Sequence, residues 1–119
     1  MRLLALLLAA PLLAQTPAPA PAPAPAFNAS AFFLKSCAGC HGQDGSATRP
    51  DGKKGRAADL TDAAWQKANT DAAIQTSILN GKGHMPAFKG RISEADALTL
   101  VTDVVRKLQK GTPVKVAAN

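Results

Sequence analysis

An alternation of proline and alanine from Thr16 to Ala26 limits where this chain can fold. Proline fixes φ and has no N–H to donate, so such a run forms neither a helix nor a sheet ladder. It is expected to be an extended polyproline II spacer that rises about 3.1 Å per residue. The rest of the 119-residue chain therefore carries the fold, and we predict one domain over residues 27–111 with a tail over 112–119.

The residues before the spacer have the pattern of an export signal. Arg2 supplies one positive charge, and an apolar stretch follows from Leu3 to Ala14. A helix needs roughly 20 apolar residues to cross a bilayer, so this stretch is too short. A charged start, a short apolar middle and small residues afterwards are typical of a secretory signal peptide. We predict a signal peptide over 1–14 and a Pro/Ala-rich linker over 15–26; a buried helix and an uncleaved weak membrane anchor are the alternatives.

Two cysteines and a histidine form the most specific motif, because residues 37–41 read Cys-Ala-Gly-Cys-His. The C-x-x-C-H pattern is the signature of covalent haem attachment. Two thiols three residues apart lie on one turn and can form thioethers with the vinyl groups on one edge of a haem. The next side chain then offers a ring nitrogen to the iron. We predict one covalent haem c, bound through Cys37 and Cys40 and ligated by His41.

Two other uses of these residues are a disulfide and a zinc site. In an exported protein a pair of cysteines is by default a disulfide, but a thioredoxin-like redox disulfide would need a βαβ context, and no strand-like run surrounds the motif. A zinc site would need a fourth strong ligand, and beyond the motif the chain offers only His84. Haem attachment accounts for both cysteines and for His41.

A second motif, Gly-Lys-Gly-His-Met-Pro-Ala-Phe at residues 81–88, contains the only methionine besides Met1. A lone methionine is usually core filler. At this position, however, the following proline favours an extended conformation, and two glycines allow the backbone to approach a flat cofactor. Neighbours in an extended segment point to opposite sides, so only one of His84 and Met85 can face the iron.

Both motifs resemble those of class I cytochromes c of the small bacterial kind, and the resemblance runs from about Asn28 to Gln109. It implies an all-α cytochrome c fold in which the N- and C-terminal helices cross and helices and loops wrap around one haem. In similar cytochromes a Met-Pro after a glycine-rich loop supplies the distal ligand, so the resemblance favours Met85 over His84. Compared with harder ligand pairs, methionine and histidine together raise the reduction potential of the iron.

Helix signals predict the order of the elements. Residues that favour the N-cap precede apolar-patterned segments, and glycines follow two of them. The predicted helices are 29–38 after Asn28, 62–68 after Thr61, 71–80 after Thr70, and a last helix from Ser93 to Gly111. The predicted core, which is also the haem pocket, includes Phe32, Phe33, Ile74, Ile78 and Phe88.

The resemblance also implies a hydrogen-bond partner for His41. In the family this is often the carbonyl of a proline just before Asp-Leu or Asn-Leu, and it fixes the orientation of the ring. This chain has Ala58 before Asp59 and Leu60, so the Ala58 carbonyl is the predicted partner. Trp65 is expected in the core or near a haem propionate.

The chain is basic, with a formal net charge of +6, one less without Arg2. Part of this charge serves solubility, and part is expected to steer acidic redox proteins to an exposed haem edge. Nucleic acid is not an expected partner, because the basic residues lack interleaved aromatic side chains. The basic residues beside the two loops are Lys53, Lys54, Arg56, Lys82, Lys89 and Arg91.

The combined expectation is a periplasmic carrier of one electron, and not an enzyme by itself. The iron would change oxidation state while His41 and Met85 both stay bound. A labile Met85 would instead open a site for a gas or for catalysis, and the domain could also be the electron-accepting subunit of a periplasmic dehydrogenase or oxidase. Membrane association would require that the N-terminal segment remain uncleaved.

Overall fold

The computed structural model describes residues 10–22 and 25–118. Its helices are α1 (Ala29–Ser36), α2 (Ala38–His41), α3 (Ala63–Ala68), α4 (Asp71–Asn80), α5 (Glu94–Asp103) and a 3₁₀ helix, Val105–Lys107. Across the described residues, β-pairing is limited to isolated bridges and no strand forms. The predicted all-α fold is therefore confirmed.

Most of the predicted signal peptide, residues 1–14, lies outside the described residues. In the part that the structure does describe, every helix is too short or too polar to cross a membrane.

Side-chain caps begin the helices largely as predicted. Asn28, Thr70 and Ser93 each accept a hydrogen bond from the backbone N–H three residues later, at 3.0, 3.1 and 3.0 Å. The prediction of Thr61 as a cap is wrong. Asp62 caps α3 by accepting from the Trp65 N–H at 2.8 Å. The Thr61 hydroxyl is used elsewhere, because it donates to Asp59 Oδ1.

Both terminal helices are shorter than predicted. The first ends at Ser36, and Cys37 (φ −116°, ψ −38°) joins it to α2, so the attachment motif lies on its own short turn. The last ends at Asp103 and not at Gly111, because Val104 leaves the helical region at φ −120°, ψ −64°. Contacts with Gln66 and Asn69, at the end of α3 and just after it, hold the 3₁₀ helix that follows.

The core forms where α5 lies against α1 and α4. Phe33, Ile74, Ile78 and Phe88 are buried as predicted, whereas Phe32 is half-buried and contacts the Phe88 ring edge-on at 5.4 Å. On α5 the buried side chains are Ala97, Leu100 and Val101, and Val104 follows directly after it. The predicted contact between the first and last helices is thus present.

The last described residues return to the start of the domain. The Val114 N–H donates to the Gln43 carbonyl at 2.8 Å, and the Ala117 N–H donates to Ser30 Oγ at 2.8 Å. Asn28 Nδ2 donates to the Ala117 carbonyl at 2.9 Å. Residues 112–118 therefore lie along α1 and the loop that follows the attachment motif.

Candidate functional site

One cavity brings the two sequence motifs together, and we call it the helix-lined cavity. Cys37, His41 and Met85 all open on it. Its wall is mostly apolar, and its polar members are Asn69, Ser77 and Lys82. The apolar side chains of the wall are Phe33, Leu60, Trp65, Ile74, Ile78, Leu100 and Val105.

The two cysteines occupy different positions around this cavity. Cys37 is half-buried and part of the wall, whereas Cys40 is exposed on the same turn, and no disulfide joins them. Burial, together with the nearby Cys40 charge, raises the pKa of the Cys37 thiol to about 11. Since the thiolate is the reactive form, Cys37 remains a protonated thiol at neutral pH in the folded chain without a thioether.

The ring of His41 is oriented by a backbone carbonyl. Its Nδ1 lies 3.0 Å from the Ala58 oxygen, so the predicted Ala58 contact is confirmed. A proton on Nδ1 is then donated to that carbonyl, and the lone pair is left on Nε2. This is the tautomer that a metal-binding histidine needs.

Met85 is presented by a tight hairpin. The Lys82 N–H donates to the Met85 carbonyl at 3.1 Å, and the Met85 N–H donates back to Lys82 at 3.0 Å. Gly83, the first of the two residues between them, has φ 58°. A two-residue hairpin with glycine at its first central position is a favoured turn, and it fixes Met85 relative to the end of α4.

Gly81 brings this hairpin close to α4. It ends the helix with φ 77°. A Cβ built at this position would lie 2.7 Å from the Met85 carbonyl oxygen and 3.0 Å from the Ala87 nitrogen. Only a glycine permits this approach, because a side chain would both clash and have an unfavourable φ.

His84 and Met85 differ in what their side chains contact. The Met85 side chain contacts the core cluster and is part of the cavity wall. His84 is exposed and absent from the wall. Of the two candidate ligands, therefore, the geometry brings only Met85 to the same cavity as His41.

Trp65 is half-buried against the core, as one of its two expectations required, and it also lines the cavity. Sequence reasoning did not single out Asn69, Ser77 or Lys82 for the cavity. The positions of Asn69 and Ser77 depend on how α3 and α4 meet. Lys82 could have been found, because it opens the hairpin that ends in Met85.

The residues present fit a c-type haem. The cavity joins an imidazole nitrogen with a free lone pair and a thioether sulfur, and both are iron ligands in haem proteins. Cys37 is part of its wall and Cys40 is exposed on the same turn, and most of the wall is apolar. His41 and Met85 would hold the iron, and the cysteines would hold the porphyrin.

A small all-α domain with a C-x-x-C-H turn beside an apolar cavity is the architecture of a c-type cytochrome. The family model described as cytochrome C oxidase, cbb3-type, subunit III matches residues 24–102. The chain belongs to this family of c-type cytochrome domains, whose members carry haem c and transfer electrons.

Individual relatives support the same family. Cytochrome c6 from Synechocystis sp. is 36% identical over 81 residues, which cover 68% of this chain and 64% of that protein. Cytochrome c6 from Pyropia tenera is 34% identical over 84 residues, covering 71% and 94%. CcoP, a cbb3-type oxidase subunit of Cereibacter sphaeroides, is 35% identical over 68 residues, covering 56% and 22%.

The chain thus spans less than two thirds of the Synechocystis protein and about a fifth of CcoP. A solved c-type cytochrome, KustC0563, superposes with a TM-score of 0.57 at 27% identity. The match covers 71% of this chain and all of that structure.

Proposed function

We propose that this protein is a periplasmic carrier of one electron, with a single haem c attached to Cys37 and Cys40 and ligated by His41 and Met85. One observation carries the proposal: two motifs about 40 residues apart meet at one mostly apolar cavity, with a ring nitrogen and a thioether available. Like its cytochrome c6 relatives, the protein would be an electron carrier and not an enzyme by itself.

Several residues of the chain would prepare the site for electron transfer. When bound, the haem supplies an iron that exchanges one electron. The Ala58 carbonyl holds the His41 ring in one orientation, and the hairpin holds Met85. Leu100, a buried residue of the cavity wall, helps to exclude water, and an apolar surrounding of this kind tunes the reduction potential of a metal. Both ligands are thus fixed before the electron arrives.

Basic side chains near the Met85 hairpin support docking of acidic redox partners. Lys82 and Lys89 are exposed and make no ion pair among the described residues. Arg91 lies 4.9 Å from the centre of the Phe88 ring and keeps its charge at the surface. Lys54 is different, because Asp59 partly neutralises it. Three positive charges without an ion-pair partner among the described residues, on Lys82, Lys89 and Arg91, therefore lie around the hairpin.

Absorption spectra of the ferric protein, expressed with c-type haem maturation, test the ligands. We expect a low-spin spectrum with the weak long-wavelength band of a methionine–iron bond. Met85→Ala should remove this band, and the matched variant His84→Ala should retain it, because His84 is exposed beside the hairpin. Loss of the band in His84→Ala, or its persistence in Met85→Ala, would reject the assignment of Met85.

The spectrum also separates the alternatives. A high-spin ferric form would mean that Met85 is not bound, which would favour a protein that binds a gas. A role as a subunit of an oxidase is supported by the family description and by the match to CcoP. Co-purification with oxidase subunits from the native membrane would identify that arrangement.

A further inference from the structure

A salt bridge closes a six-residue loop around Ala58. Lys54 Nζ lies 2.5 Å from Asp59 Oδ2, and we call residues 54–59 the Ala58 loop. The same ammonium group donates to the Ser46 carbonyl at 2.8 Å. Ser46 is fully buried, so the loop is attached to the interior of the domain.

The other carboxylate oxygen of Asp59 fixes the far end of the loop. Asp59 Oδ1 accepts from both the backbone N–H and the hydroxyl of Thr61, at 2.9 and 2.5 Å. Burial disfavours the charged carboxylate, but the hydrogen bonds from Lys54 and Thr61 outweigh it and lower the pKa of Asp59 to about 2. Asp59 is therefore ionised at neutral pH, and its two oxygens hold residues on both sides of the loop.

The salt bridge between Lys54 and Asp59 matters because position 58 of this chain is alanine and not proline. The cytochromes that the chain resembles often have proline where this chain has Ala58, and a proline ring fixes φ. Alanine leaves φ free, yet the Ala58 carbonyl must point at His41 Nδ1 to accept its proton at 3.0 Å. We infer that Lys54 and Asp59 are positioning residues, whose salt bridge replaces the proline ring in directing the Ala58 carbonyl at His41. The inference rests on His41 serving as an iron ligand.

The expected consequence is a lower reduction potential. A hydrogen bond from Nδ1–H to a carbonyl makes the imidazole a stronger donor, and a stronger donor stabilises the ferric more than the ferrous iron. If the salt bridge is lost, the Ala58 carbonyl turns away for part of the time. The His41 bond then weakens, and the reduction potential rises.

For one variant, Lys54→Met, the loss of charge alone predicts the opposite change in the reduction potential. Removing a lysine near the iron removes a positive charge that favours the reduced state, so the potential should fall by simple electrostatics. Lys54→Met separates the two effects, because positioning predicts a rise. Lys53→Met is the matched control: it removes the same charge from the neighbouring residue, whose side chain is exposed and makes no ion pair in the described part of the chain.

The experiment measures the reduction potentials of the wild-type, Lys54→Met and Lys53→Met holoproteins. We expect a rise for Lys54→Met and a small fall for Lys53→Met. In the ferrous proteins, NMR should show exchange of the His41 Nδ1 proton accelerated by roughly tenfold in Lys54→Met, as for the weakening of one hydrogen bond, and unchanged in Lys53→Met. A fall in both variants, or unchanged exchange in Lys54→Met, would overturn the inference.

A second variant tests the replacement of the proline directly. Ala58→Pro introduced into Lys54→Met should restore the potential and the slow exchange, since the Ala58 N–H donates no hydrogen bond within the described residues and its φ is not positive. A double variant that keeps the raised potential would also overturn the inference. The ferric spectrum of the wild-type protein separates this result from a failure of the proposed function, because it reports the iron ligands independently of the variants.

Discussion

At the scale of single residues, Gly81 determines how closely the Met85 hairpin can approach α4. It lies in a backbone conformation with φ 77° and ψ 167°, a region that is essentially limited to glycine. The adjacent Met85 carbonyl fills the space that a Cβ would occupy. The position of Met85 therefore depends on residue 81 having no Cβ atom.

We predict that Gly81→Ala displaces the hairpin and weakens the methionine–iron bond. The absorption band of that bond should decrease, and the free energy of unfolding should fall by about 1–3 kcal/mol, the usual range for such backbone strain. The matched control is Gly90→Ala, since Gly90 also has a positive φ, of 86°, but nothing within 4 Å of its Cβ position. Gly90→Ala should lose stability and keep the band. An intact band in Gly81→Ala would show that the hairpin tolerates the displacement.

The residues of the candidate site differ in how far sequence could predict them. Cys37, Cys40 and His41 belong to one local motif, so their spacing alone predicted that they act together. The Ala58 contact followed from a family pattern. The pairing of Lys54 with Asp59 was not predicted, because it depends on how the loop closes and not on a recognisable spacing.

At the scale of elements, the starts of the first and last helices were easier to predict than their ends. N-caps act through the residue's own side chain and an N–H three residues later, and Thr70 and Ser93 follow this rule. The end of α5 depends on partners about 40 residues earlier in the chain. Gln66 Nε2 donates to the Val105 carbonyl at 2.9 Å, and this bond competes with continuation of the helix.

Arg106 connects the 3₁₀ helix to the connection between α3 and α4. Its Nε donates to Asp71 Oδ1 at 2.7 Å, and its other nitrogens donate to the carbonyls of Gln66 and Asn69 at 2.7 and 2.6 Å. The Arg106 side chain is only 24% exposed. Because Asn69 and the neighbouring Trp65 line the cavity, Arg106 supports the cavity wall from outside.

We predict that Arg106→Met destabilises the holoprotein by about 2–3 kcal/mol, since partly buried acceptors lose a charged donor. Lys107→Met is the control: it removes the same charge from the adjacent, exposed residue, and should change stability by less than about 0.5 kcal/mol. Urea unfolding followed by circular dichroism measures both, with the midpoint expected to move at constant slope. Equal midpoints for the two variants would mean that the Arg106 contacts contribute only as exposed charge.

At the scale of the whole molecule, the net charge is +6, and some of the basic side chains behind it form ion pairs whereas others are free. Lys54 and Arg106 form ion pairs with carboxylates, so their charges act mainly within the fold. Lys82 and Lys89 stay exposed beside the Met85 hairpin, where a redox partner would approach. We predict that the charges at the hairpin side of the cavity, more than the other free charges of the chain, direct the approach of a partner.

Ionic strength tests this distribution in the reduced protein, with ferricyanide as a negatively charged oxidant. The bimolecular rate constant should fall as salt is added, because salt screens attraction over a Debye length of about 10 Å at 0.1 M. Lys89→Gln should lower the rate at low salt by about two- to threefold, a modest part of the steering that a charged surface provides. It should also reduce the salt dependence, and the variants should converge at high salt.

Lys115→Gln distinguishes local from overall charge in the same measurement. It removes the same charge from a residue in the segment 112–118, which lies along α1, and this residue is not part of the wall of the helix-lined cavity. If the field at the hairpin directs the approach, Lys115→Gln retains nearly the wild-type rate while Lys89→Gln does not. Equal losses in the two variants would mean that only the net charge matters. A positively charged cobalt(III) complex should show the reverse salt dependence, because its repulsion by Lys82 and Lys89 is screened as salt increases.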